Sequence, residues 1–190
     1  MPNKNYKDSC TSFLTKAFVP AGYHLTTDVV LEPVSESNKY DGLIFSLNGR
    51  KVRYRKGKVT ADRPGAFLAV WQRPATSNVN NNKPVPFTST ELDYLFVWVE
   101  SDIENKENLK QGLFIFPVSL LVEKGIVSSD LKKGKTGFRV FPPWSEDRGE
   151  TGTKVFSASG KKTQHWQLPY FVKIDEDGLI ERSELSRVLA

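Results

Sequence analysis

YDGLIFSLNGRKVRYRKGKV, residues 40–59, reads as two strands folded about Asn48-Gly49, the strongest short hairpin signal. Its second arm is unusual. RKVRYRKGK (50–58) places six cations in nine residues with no acid among them, yet Val52 and Tyr54 alternate through it like the buried face of a strand. Strict alternation turns Arg53 and Arg55 to the opposite face, where guanidinium forks can hold phosphate through paired hydrogen bonds and stack on bases. Gly57, between Lys56 and Lys58, permits a bulge or the close approach of another backbone. The plainer alternative is an edge strand charged to prevent sheet-to-sheet association, but one or two charges suffice for that.

Outward from the hairpin, AFLAVWQR (66–73) is a third strand and YLFVWVE (94–100) a fourth, so nearly continuous in apolar residues that it belongs at the centre of a sheet. The stretch between them, 75–90, is a polar, proline-broken surface loop. GLFIF (112–116) is a fifth strand; Pro117 can open the short helix that follows, and Gly125 stops it. GFRVF (137–141) is a sixth, halted by Pro142-Pro143. SCTSFLTKAF (9–18) predicts a helix with Phe13, Leu14 and Phe18 on one face, and ERSELSRVLA (181–190) predicts another. TTDVVLEP (26–33) is a strand or a helix, which periodicity does not decide, and TQHWQLPYF (163–171) includes a helical turn before Pro169. The expected class is α+β, with α/β character: a single mixed sheet flanked by helices.

A chain of 190 residues is most simply one domain, 1–190, able to bury roughly 70% of its unfolded surface. Twelve Phe, six Tyr and four Trp supply the bulk of a core. The single cysteine, Cys10, excludes an internal disulfide, and two histidines, His24 and His165, make no zinc signature. No apolar run reaches the roughly 18 residues of a membrane helix, and MPNKNYKDS lacks a signal-peptide core, so a cytoplasmic location is expected. The net charge of +5 is segregated: 50–58 carries +6 and 131–139 carries +4, against −3 over 100–107 and −4 over 175–184. Such segregation favours a polyanion-binding face.

No phosphate-binding glycine loop and no nucleophilic elbow or cysteine-protease setting is present. Asp175, Asp177, Gly178, Ile180 and Glu184 fit five positions of a calcium loop, but Lys173 occupies the first, where a carboxylate must ligate. This is a turn leading into a helix, and no metal is expected there.

VRYRKGKVTADRPGAFLAVWQRP (52–74) resembles the MepB family, through Arg55, Lys58, Val59, Thr60, Gly65, Phe67, Trp71 and Arg73. Further matches follow in order: Gly112, Phe114, Phe116 and Pro117; Gly134-Lys135 with RVFPPW (139–144); and Thr163, Gln164, Trp166, Gln167, Tyr170 and Phe171. Glu36, Tyr40 and Phe45 fit its weaker opening motif. The resemblance spans about residues 30–173; Ala61-Asp62 departs from it, since the family more often has Pro after the threonine.

The resemblance implies a fold similar to the PD-(D/E)XK nuclease core, in which carboxylates and a lysine hold a metal and position the attacking water. The equivalent lysine is taken as Lys58, and the acid expected two residues earlier is replaced by Lys56, which would repel a divalent ion. Literal acid-x-Lys strings at Glu104–Lys106 and Asp130–Lys132 lie in polar stretches unlike a core strand. The family is thought to keep the nuclease shape without its catalytic set, in accord with that reading of Lys56.

The expected function is therefore binding of nucleic acid without catalysis, with neither metal nor cofactor. RNA and DNA, single- and double-stranded, all stay open. The expected contacts are Arg53, Arg55, Lys56, Lys58, Arg73, Lys135, Arg139, Lys161, Lys162 and Trp166, since cations track a backbone and aromatic faces stack bases. The enzymatic alternative is a divergent metal-dependent nuclease with Asp41 or Glu36 as ligand and Lys58 near the water.

Overall fold

The computed structural model describes residues 5–32, 40–72, 83–101 and 106–190. In chain order these form α1 (Asn5–Phe18), β1 (Val30–Leu31), β2 (Leu43–Leu47), β3 (Arg50–Lys56), β4 (Lys58–Thr60) and β5 (Arg63–Ala69). There follow β6 (Trp71–Gln72), β7 (Val85–Pro86), β8 (Tyr94–Glu100), β9 (Gln111–Pro117) and α2 (Val118–Glu123). The remainder supplies β10 (Gly137–Val140), α3 (Ala158–Gln167), β11 (Phe171–Ile174) and α4 (Arg182–Val188).

The hairpin forms as read. Asn48 and Gly49 both take positive φ, 47° and 77°, as a tight turn matched to strand twist requires, and the register sets Phe45 opposite Val52 and Leu43 opposite Tyr54. The main sheet has the order β1-β2-β3-β8-β9-β11. All its pairings are antiparallel except β3 with β8, which run parallel with Tyr54 beside Phe96. The sheet is thus mixed and the fold is α+β, with β8 inside the sheet between β3 and β9 as its apolar run implied.

One sheet became three. Gly57 still donates its N–H to the Trp98 carbonyl at 2.9 Å, and then the chain leaves the main sheet. β4 instead pairs with β5, and β10 with the other edge of β5, in a second three-stranded antiparallel sheet; β6 and β7 form a separate ribbon. Gly65, at φ 75°, opens this layer: a Cβ there would stand 2.5 Å from the Val140 carbonyl oxygen.

Each face of the main sheet has its own core. On one, α1 supplies Leu14 and Phe18 against Phe45, Val52, Phe96 and Ile115, and α4 closes the end with Leu185 and Val188. On the other, Leu95, Val97, Val99, Phe114 and Phe116 meet Ala66 and Leu68 of β5, Val140 of β10 and Leu120 and Leu121 of α2. The phenylalanines are the main filling: the Phe114 and Phe116 rings lie 5.2 Å apart and nearly parallel.

This two-sided cover corrects the reading of the basic strand. β3 is neither an edge strand nor exposed on its arginine face. Arg55 is 1% exposed, and Glu32 beside it is buried. Its two terminal nitrogens grip the Glu32 carboxylate at 2.6 and 2.8 Å, its Nε donates to the Ala69 carbonyl at 3.0 Å, and one terminal nitrogen also reaches the Tyr54 carbonyl. Arg53 approaches the same carboxylate at 3.4 Å, and both guanidiniums lie 5.3 Å from the Phe87 ring centre. Arg55 therefore has no edge left for phosphate. A buried, fully bonded ion pair adds little net stability, but removing one partner strands the other charge at a cost of about 3–5 kcal/mol. Arg55→Met should lose that much in urea denaturation. Replacing Glu32→Leu as well should recover most of it.

Candidate nucleic-acid interface

Because β3 and β8 run parallel, their C-terminal ends lie side by side, where β4 peels away from the main sheet. Lys56 ends β3 and Glu100 ends β8, and their charged atoms meet at 3.2 Å. Together with Asp41 and Tyr54, and beneath the Tyr6, Cys10 and Phe13 side of α1, they line a cavity of about 310 Å³. Glu100 also lines a second cavity of about 560 Å³, which continues between β5 and the Pro142-Pro143-Trp144 corner to Lys110 and Arg148. The two cavities adjoin at Glu100, one on the α1 face of the main sheet and the other on the β5 face, and the groove is this pair.

Its floor is electrostatically tense. Asp41 adopts the left-handed conformation, φ 50°, which Asp tolerates better than most residues. Burial pushes its carboxyl above the usual range; the charges of Lys56 and Lys58 oppose this, and that of Glu100 adds to it. Burial and the Asp41 charge raise the Cys10 thiol to about 12, so it is an inert packing group rather than a nucleophile. Burial likewise lifts the Tyr54 phenol well above its ordinary value. Glu100 is fully engaged: one oxygen accepts from the Trp98 indole (2.9 Å) and Gln111 (3.2 Å), and the other faces Lys56.

The predicted contacts scatter. Lys58 is exposed on β4, its ammonium 5.1 Å from the Tyr40 ring centre, near enough for its charge to act on Asp41. It belongs to the second sheet, so the lysine that shares a cavity with Asp41 is Lys56, and the residue two before it on the same strand face is Tyr54. Arg139 is half-buried and donates to the Pro64 carbonyl (2.9 Å) and the Thr60 hydroxyl (2.7 Å), away from the groove lining. Lys135 is exposed on the loop before β10, and Lys161 and Lys162 are exposed on α3; none lines either cavity. Trp166 is half-buried on the opposite core, 5.9 Å from Phe116, with the Lys124 ammonium over it. Arg73, Glu36 and Glu104 lie outside the described residues.

Sequence reasoning missed Glu100, Lys110, Tyr54 and Arg148. The one available signal was that β3 and β8 each end in a charged residue, which matters only once they are known to be parallel neighbours. Trp144, the last residue of the RVFPPW motif, lines the groove, and its ring meets Phe171 edge-on at 5.7 Å. The acidic tail forms the expected turn: Asp175 accepts from the N–H groups of Asp177 and Leu179, both at 2.9 Å.

A family profile described as MepB-like matches residues 34–173, and the chain belongs to that family. The crystal structure of MepB aligns over 88% of this chain and 97% of its own, with a TM-score of 0.64 and 28% identity. A bacterial homing endonuclease, I-Ssp6803I, aligns over 87% of this chain and 91% of its own, with a TM-score of 0.41 and 14% identity. No curated protein sequence matches the chain. Among the described residues no helix is long and apolar enough to cross a membrane.

The raised Asp41 pKa has a definite sign. A carboxyl held above its ordinary value of 3.8 favours the fold while protonated, and that contribution is lost as pH rises through the folded-state value. Asp41→Asn, which also tolerates the backbone, should raise the melting temperature at pH 7. The gain should vanish below about pH 4, where both side chains are neutral; thermal scans across that window test it.

Proposed function

We propose that the chain binds nucleic acid in this groove and leaves it uncut. The observation that supports the reading is that the two cavities adjoin at Glu100 and hold Lys56, Lys110 and Arg148 in their linings. Along this path Lys56, Lys110 and Arg148 accompany the backbone of a bound strand, and Trp144 offers an aromatic surface to a base. Three carboxylates, Asp41, Glu100 and Glu146, also line the path. Lys56 neutralises Glu100, which leaves Lys110 and Arg148 to meet phosphate.

Retardation of labelled single strands should weaken steeply with salt, because bound counterions are released. Lys110→Glu with Arg148→Glu should lower affinity at least about tenfold and flatten the log–log salt slope by roughly 1.4, the value for two lost phosphate contacts on a single strand. Retardation that ignores salt, or a loss seen only on reversing Lys161 and Lys162, would remove the groove from consideration.

The metal-dependent alternative draws on Asp41, Lys56 and Glu100 sharing one cavity, but these residues fit a divalent ion poorly. Glu100 is occupied by three donors, Tyr54 stands two residues before Lys56, and burial disfavours ionised Asp41. Among the described residues no three His, Cys, Asp or Glu side chains gather to hold a metal. Incubation with Mn²⁺ and single- or double-stranded substrates should give no cleavage beyond that of an Asp41→Ala protein. Cleavage that this substitution abolishes would establish a nuclease instead.

A further inference from the structure

The cavity beneath α1 holds more than a path for phosphate requires. Its walls are aromatic: the Phe13 ring stands edge-on to the Trp98 indole at 4.9 Å, and the buried Tyr54 ring adds a third surface. At about 310 Å³ it is at the lower end for ligand pockets, with room for one flat body and not for a duplex. Cations that track a backbone need no such walls, whereas a base taken out of its stack does.

The polar groups of the same cavity form a pattern. Asp41 is half-buried there, and among the described residues no hydrogen-bond donor reaches its carboxylate. Burial pushes its carboxyl up because nothing replaces the water that the charged form has lost. Two N–H groups of a ligand would replace it. Lys56 is the nearest influence among the charges, acting on Asp41 more strongly than Lys58 or Glu100. Its ammonium carries three donors, of which Glu100 takes one at 3.2 Å. The cavity thus offers a paired acceptor together with a donor. Among the bases this pattern has one complement. Guanine presents two adjacent donors, N1–H and the 2-amino group, with the acceptor O6 next to them. Adenine and cytosine present one donor with an acceptor beside it, and thymine or uracil one donor between two acceptors. Each of these would set a lone pair against a carboxylate oxygen.

We propose that this cavity takes one unpaired guanine base, with Asp41 accepting from N1–H and the 2-amino group, Lys56 donating to O6, and Phe13 and Trp98 holding the ring. The inference rests on the groove reading for its source: a strand lying along Lys110 and Arg148 turns one base past Glu100, which both cavities share. Sequence preference then arises at this one position, while the phosphate contacts stay indifferent to sequence.

The experiment compares, by fluorescence anisotropy, four labelled thymine oligodeoxynucleotides that differ only in the central base: thymine, guanine, adenine or hypoxanthine. Guanosine and inosine are titrated separately by calorimetry. The guanine strand should bind about tenfold tighter than the all-thymine strand, toward the lower range for a bidentate base contact. Adenine should give no gain, and hypoxanthine, which lacks the 2-amino group, should lose most of the gain that guanine gives. Guanosine should likewise bind more tightly than inosine. Asp41→Asn, whose amide offers one donor and one acceptor, should erase the guanine preference; this variant is expected to melt higher at pH 7, so the loss is not one of folding. Ser9→Trp, at an exposed α1 position that lines the cavity, should erase it too while leaving the carboxylate in place. A preference that survives either substitution overturns the inference. Equal affinity for the four strands also overturns it, and the groove reading stands if that binding depends on salt. Guanosine binding that depends on Asp41, with no strand bound, keeps the cavity as a guanine site for the free nucleoside and removes the groove reading. With neither strand nor guanosine bound, both fall.

Discussion

The guanidinium of Arg55 ties three parts of the chain together. Its fork closes on Glu32 just past β1, its Nε holds the last carbonyl of β5, and its own strand lies at the middle of the main sheet. An arginine in such a position is tolerable only because each of these donors has an acceptor; without them the desolvation cost would be several kcal/mol. The packing of the second sheet onto the first depends on that satisfaction. So does Arg53, which shares the carboxylate and rests on the same phenylalanine.

From this constraint the groove follows. With β3 locked between β2 and β8, its end is fixed beside the end of its one parallel neighbour, and the chain must leave the sheet at Gly57 to build the second layer. Two layers that diverge from a common strand leave a cleft at the point of divergence. Lys56 and Glu100 stand there because they are the last residues of their strands, and their ion pair neutralises the carboxylate. The same divergence sets β5 beside two cavities, with Gly65-Ala66 toward the groove and Arg63-Pro64 toward a cavity lined by Arg139.

Membership of the MepB-like family fits the order of motifs along the chain, and those motifs now have physical roles. Gly65 makes room for the Val140 carbonyl, and Gln167, fully buried, accepts from the Phe141 N–H and donates to the Arg139 carbonyl, tying α3 to β10. Trp144 packs on Phe171 and lines the groove. Several rare residues that invite a binding role are therefore also structural, and Trp166 is chiefly so.

The amino-acid sequence by itself determined the local elements: the Asn48-Gly49 hairpin, the buried strand at 94–100, the strand at 111–117 with its following helix, and the terminal helix, all of which follow from periodicity and turn chemistry within a few residues. It also determined that cations would concentrate on β3. What those cations do was decided by tertiary structure alone. Alternation tells which side chains share a face but not whether that face meets water, and the acceptor for Arg55 lies 23 residues away in sequence. Likewise the groove exists only because β3 and β8 are parallel, a pairing made across a long connection that leaves no local trace in either strand.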